Sequence, residues 1–276
     1  MTAYTFETIT DVQAAAFNPL TDTLTFTTPG ATATAVQVAI TAASGGGGFP
    51  PAPAVPATQT LTFGGVSRVF GSATAAGLAG SGFATGSIIF PDSSMLFVGT
   101  TTVDNVTGSS GNDALYGGEG ADTLNGSLGN DYLQGNQGAD SLVGGEGNDS
   151  LLGGQGDDTI TTGTGNNYAH GNLGNDVVTG GTGSDTLLGG QGNDSLIADA
   201  GNNVVFGDIG DDTASGTTGA DTLLGGDGND SLAGGDGANS LDGGSGADAI
   251  TGGTGADVIV GGADNDVITD TGGNNS

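Results

Sequence analysis

The chain has 276 residues, 59 of them Gly, no Cys, no Trp, a single basic residue (Arg68) and 31 acidic ones, for a formal charge of −30. Such an acidic surface repels nucleic-acid phosphates and anionic lipid, and no apolar run reaches the ~18 residues of a membrane span. Without Cys there are no disulfides, thiolate metal sites or Cys nucleophiles.

The composition changes near Thr107–Gly108. Residues 1–107 hold five acidic residues (Glu7, Asp11, Asp22, Asp92, Asp104) and residues 108–276 hold the other 26. Two domains are expected: 1–107, small and β-rich, and 108–276. In chain order, strand patterning falls on Ala3–Phe6, Thr23–Phe26, Ala35–Ile40, Gln59–Phe63 and Met95–Val98. Asp11–Phe17 reads as one or two helical turns capped by Asp11 or Thr10. The Gly/Pro-rich stretch 44–56 reads as a flexible loop. Met1–Val12 has neither a basic nor an apolar signal region, so no cleavable signal peptide is expected.

From Gly108 to Thr269 the sequence runs in one unbroken register of 18 nonapeptides. Gly holds position 1 in 16 copies and position 4 in 17, Asp or Asn holds position 6 in all, and Leu, Ile or Val holds position 8 in 16. Gly at positions 1, 2 and 4 can take φ > 0, so a six-residue loop can wind tightly with carbonyls turned inward. The position-6 carboxylate adds a hard oxygen ligand to those carbonyls, a donor set suited to Ca²⁺. Positions 7 to 9 predict a short strand whose middle residue points inward.

This pattern, as in Gly117-Gly118-Glu119-Gly120-Ala121-Asp122-Thr123-Leu124-Asn125, resembles the RTX (repeats-in-toxin) nonapeptide G-G-x-G-x-D-x-U-x. The resemblance implies an all-β chain in which the N-terminal domain precedes a parallel β-roll solenoid. The roll would have two nonapeptides per turn, about nine turns of 18 residues, and Ca²⁺ between successive loops on each edge. The expected calcium ligands are Asp113, Asp122, Asp131, Asp140, Asp149, Asp158, Asn167, Asp176, Asp185, Asp194, Asn203, Asp212, Asp221, Asp230, Asn239, Asp248, Asp257 and Asp266. With roughly one Ca²⁺ per nonapeptide, the bound charge would offset the −30 of the chain. Without metal, carboxylate repulsion and a thin core predict an unfolded chain.

Alternate copies belong to opposite sheets, so the two edges can be told apart. One edge carries only Asp at position 6; the other carries Asn167, Asn203 and Asn239, spaced by 36 residues, where weaker binding or simple unit duplication are both open. The Asn-bearing sheet also presents Tyr116, Leu152, Leu188, Phe206, Leu224 and Val260 at outward position 9, against mostly Asn, Ser and Thr opposite. An exposed apolar stripe needs a cover, from a second chain or the N-terminal domain. The sequence ends inside a further loop, Asp270–Ser276, a departure from the family's usual following secretion segment and a layout suited to head-to-tail polymerisation.

No catalytic constellation emerges, and a non-enzymatic protein is expected. His170, the one His, falls at an outward position, and the loop Gly45–Gly48 lacks the Lys and Ser/Thr of a phosphate-binding loop. The expected function is a secreted calcium-binding structural protein that folds on Ca²⁺ and self-assembles into a filament, sheet or surface layer. The alternative is a monomeric calcium-dependent adhesion or carbohydrate-binding module. The expected partner is a second copy of the chain, or a cell-surface glycan in the alternative. The resemblance implies an extracellular or cell-surface location reached by type I secretion from a Gram-negative bacterium.

Overall fold

The computed structural model describes residues 93–99, 101–270 and 272 in full, and residues 3–5, 23–25, 37–41, 58–63, 66–70 and 87–89 as backbone strands. Strands β1 (Ala3–Thr5) and β2 (Thr23–Thr25) pair in parallel. Strands β3 (Gln37–Thr41), β4 (Thr58–Phe63) and β5 (Val66–Phe70) form an antiparallel meander. Four strands expected from the pattern are therefore present here, and β5 is an addition. The helical turn expected at Asp11–Phe17 and the loop at 44–56 lie outside the described residues.

Downstream, two parallel sheets run the length of a solenoid. The first strands are β6 (Ser87–Ile89), β7 (Met95–Val98) and β8 (Asn105–Thr107), followed by β9 (Ala114–Glu119) and β10 (Thr123–Leu128). From β9 onward each nonapeptide contributes one strand, ending in β25 (Val258–Ala263) and β26 (Val267–Thr269). Odd-numbered strands from β7 to β25 build one sheet and even-numbered strands from β8 to β26 the other, so strands 18 residues apart pair in register, as in Leu124↔Leu142. Strand β6 pairs antiparallel with β7 and closes the edge of the odd sheet. Because β7 and β8 join these sheets, they add one turn to the nine counted from the nonapeptides. No helix occurs among the described residues.

Most strands span six residues, positions 7 to 3 of the next copy, instead of the three expected. Parallel pairing continues past the glycine at position 1, as in Ser127↔Gly145 and Leu128↔Glu146. Alternation along the strand then puts positions 8 and 1 inside. Position 8 builds the core: Leu115, Leu124, Leu133, Leu142 and their successors to Ile250 stack one per strand, each nearly devoid of solvent contact. The inward residues of both sheets belong to one continuous core cluster, to which most strands contribute a single large side chain.

The glycines divide into two kinds, which corrects the expectation that those at positions 1, 2 and 4 serve alike by taking φ > 0. From the second copy on, positions 2 and 4 are left-handed, as in Gly118 (φ 110°) and Gly120 (φ 121°), and Asn136 and Asn172 also adopt this region at position 2. Position 1 is not left-handed in any copy. Its glycine is required by space, because it lies on the inner wall of the loop against the position-6 side chain.

Candidate metal centre

The position-6 side chains form two columns, one along each edge of the roll. One column holds Asp113, Asp131, Asp149, Asn167, Asp185, Asn203, Asp221, Asn239 and Asp257. The other holds Asp122, Asp140, Asp158, Asp176, Asp194, Asp212, Asp230, Asp248 and Asp266. All but Asp266 are buried. Within each column the Oδ1 atom accepts the main-chain N–H of the position-6 residue one turn earlier, at 2.7 to 3.1 Å. Position 5 makes the reciprocal bond on the surface: Asn112, Asn130 and Asn148 each accept the N–H of the residue one turn later. Adjacent turns are thus stapled in both directions by consecutive side chains, a role of position 5 that the repeat pattern alone does not reveal.

Sequence reasoning also missed one column member. Asp104 is buried, its N–H donates to Asp122 Oδ1 at 2.8 Å, and it stands where the first turn needs a position-6 residue. The signal was present in Gly99, Asp104 and Val106 at positions 1, 6 and 8, but Thr102 replaces the glycine of position 4.

The second carboxylate oxygen has a different environment. In twelve column members, among them Asp122, Asp140, Asp194 and Asp230, Oδ2 is buried and has no hydrogen-bond partner. This atom faces the position-1 glycine of its own copy and the carbonyl of the position-1 residue one turn on. A Cβ on Gly189 would come within 3.0 Å of both Asp194 Oδ2 and the Gly207 carbonyl oxygen, and Gly135 stands in the same relation to Asp140 and Gly153. Asp113 is an exception, since its Oδ2 accepts the Ser109 N–H at 2.5 Å.

Burial of these carboxylates pushes Asp131, Asp158 and Asp212 up to about 7, and Asp122 and Asp176 up to about 6. The main-chain N–H bond to each opposes the rise, and the like charges above and below in the column add to it. A buried anionic oxygen without a donor is unfavourable by several kcal/mol unless a cation or proton meets it (about 1–3 even for a neutral group).

The donors on offer are oxygens only: one carboxylate per loop and main-chain carbonyls from the next turn. Among the described residues no three His, Asp or Glu side chains converge, so a metal here depends mainly on backbone. Hard oxygen donors with at most one or two carboxylates fit Ca²⁺, which accepts high coordination and irregular geometry, better than Zn²⁺.

A family model for the RTX calcium-binding nonapeptide repeat matches residues 98–276 in overlapping blocks, from 98–133 to 251–276. The chain belongs to the RTX calcium-binding repeat family. Comparison with curated proteins finds no match. The RTX motif is a calcium-binding one, and the partnerless Oδ2 atoms are where this RTX roll would hold the ion. When bound, Ca²⁺ supplies the positive charge that these buried carboxylates lack. His170 is not a column member; it lies half-buried on the outer face of the odd sheet, and its charge opposes the rise that burial gives Asp194.

Proposed function

We propose that the protein is a secreted structural element that folds on extracellular Ca²⁺ and assembles with copies of itself. Calcium-dependent folding is supported above all by the columns of buried, partnerless carboxylate oxygens. Extracellular Ca²⁺ sites bind at about 10⁻⁴ to 10⁻³ M, above resting cytosolic levels. The chain would therefore stay unfolded inside the cell and close into a roll outside it.

Self-assembly is supported by the two unequal outer faces. On the odd sheet Leu188, Phe206 and Leu224 stand on three consecutive strands in register, with Leu152 and Tyr116 further up the same row. The even sheet presents mostly Asn125, Thr161, Thr179, Ser215 and Thr251 in that row, with Val143 and Ile197 as its large apolar members. A flat apolar row on a rigid rod favours lateral contact with an equally flat surface, and another copy of the roll supplies one.

Negative-stain electron microscopy of the full chain in millimolar Ca²⁺, beside an EDTA-treated sample, tests the proposal. Regular fibres or sheets that disappear with EDTA are expected. Dispersed short rods in Ca²⁺ would refute self-assembly and turn the search toward a surface glycan as ligand of a monomeric adhesion module.

A further inference from the structure

We infer that the three nonapeptides with Asn at position 6 hold no Ca²⁺ and are closed instead by their own side chains; this rests on the calcium reading of the Asp loops. One departure from the repeat marks all three copies, and a second, independent one joins it in two of them.

The first is the carboxamide itself. Asn167 Nδ2 donates to the Gly165 carbonyl at 3.1 Å and to Thr162 Oγ1 at 3.2 Å. Asn203 Nδ2 donates to the Ala198 carbonyl and Asn239 Nδ2 to the Gly237 carbonyl, both at 3.5 Å. In twelve Asp loops, that of Asp194 among them, this end of the side chain is a partnerless oxygen. In the Asn loops it is an N–H donor whose positive end faces main-chain carbonyls of the same loop, so a cation there would meet like charge and lose its carboxylate.

The second departure is at position 1. Gly fills it in 16 of the 18 copies, and the two exceptions, Thr162 and Ala198, belong to the copies of Asn167 and Asn203. In the Asp loops a β-carbon at position 1 would crowd Oδ2 and the carbonyl facing it. Thr162 instead uses that space: its hydroxyl, fully buried, donates to the Gly180 carbonyl one turn on and accepts from Asn167 Nδ2. Thr162 and Asn167 together satisfy the groups that an ion would otherwise bridge. The third copy keeps Gly234 beside Asn239 and is closed by the carboxamide alone.

One edge of the roll would then carry an ion at every turn, while the other alternates ion-bearing and self-closed loops from Asn167 to Asn239. Coordination-ready carboxylates on that edge are two turns apart, which relieves repulsion along the column.

Native mass spectrometry of the full chain in Ca²⁺, counting bound ions, tests the inference, with circular dichroism confirming that each variant folds. Asp194→Asn is expected to lose one ion. Asn239→Asp should gain one, because Gly234 leaves room. Asn203→Asp alone should gain none, whereas Ala198→Gly with Asn203→Asp should gain one. If Asp194→Asn loses an ion but Asn239→Asp and the double variant leave the count unchanged, or Asn239→Ala loses one, the Asn loops already bind and the inference falls. If Asp194→Asn changes nothing, the calcium reading itself fails and the inference fails with it.

Discussion

The main-chain N–H of Asp122 donates to Asp140 Oδ1 at 2.7 Å, one full turn away, while Asp140 Oδ2 is buried without a partner. One carboxylate thus does two jobs. Its first oxygen fixes the spacing of adjacent turns, and its second leaves a negative charge inside the loop wall. The protein itself satisfies the first oxygen and supplies neither a donor nor a counter-charge to the second, the condition under which metal binding and folding become one event.

Position 1 gives a direct test of that arrangement. Gly189→Ala places a β-carbon within 3.0 Å of Asp194 Oδ2 and the Gly207 carbonyl. Overpacking of this kind costs about 1–3 kcal/mol, and the Ca²⁺ concentration at half-folding, followed by circular dichroism, should rise several-fold. Exposed Gln191→Ala, two residues on, should leave the midpoint unchanged. Equal midpoints for the two variants would show that position 1 is not part of the metal site.

The core offers a separate lever. Leu142 is fully buried between Leu124 and Ile160 of the neighbouring strands, whereas Leu128 is 43% exposed. Leu142→Ala should destabilise the calcium-loaded roll by about 2–5 kcal/mol, and Leu128→Ala by less than about 0.5 kcal/mol. Denaturant melts in saturating Ca²⁺ measure both. A solenoid transmits such damage chiefly to adjacent turns, so a Leu142→Ala melt should broaden or split before the whole rod is lost.

Much of this was legible in the sequence because one period governs everything. The 3D roles of Leu at position 8 and Asp at position 6 follow from a nine-residue register in which strand alternation and loop geometry leave few choices. The reason for glycine at position 1 was not legible: the clash it avoids is with an atom five residues ahead and a carbonyl 18 residues away, and only the stacked turns bring them together. Asn at position 5 was hidden for the same reason, since Asn130 and Asn148 act on a neighbouring turn. Asp104 escaped because its copy lacks the position-4 glycine that made the others conspicuous.

The raised carboxylates set the pH dependence. Asp131, Asp158 and Asp212 lie near 7 in the metal-free roll, against about 3.9 for an unfolded Asp. Between these values the folded state binds more protons than the unfolded one, so the metal-free roll gains stability as pH falls and loses it as pH rises through about 6 to 7. In EDTA, strand signal in circular dichroism should be greater at pH 5 than at pH 8. Calcium must displace those protons, so the Ca²⁺ midpoint should rise as pH drops from 8 to 5.5. A midpoint constant over that range would mean that the column carboxylates are not the ligands.

The outer face can be separated from the columns, because position 9 points away from them. Phe206 is half-buried on the outside of the odd sheet, paired with Leu188 and Leu224 on either side. Leu188→Ser with Phe206→Ser removes two large apolar groups from the row and touches neither the inward Leu187 and Val205 nor any position-6 side chain. The calcium midpoint should stay within about twofold of the parent, since surface changes of this kind shift stability by roughly 0.5 kcal/mol or less. Assembly, read by sedimentation in millimolar Ca²⁺, should be lost. Loss of both together would mean that folding depends on the contact; retention of assembly would place the contact on another face, with the polar row of the even sheet next to be tested.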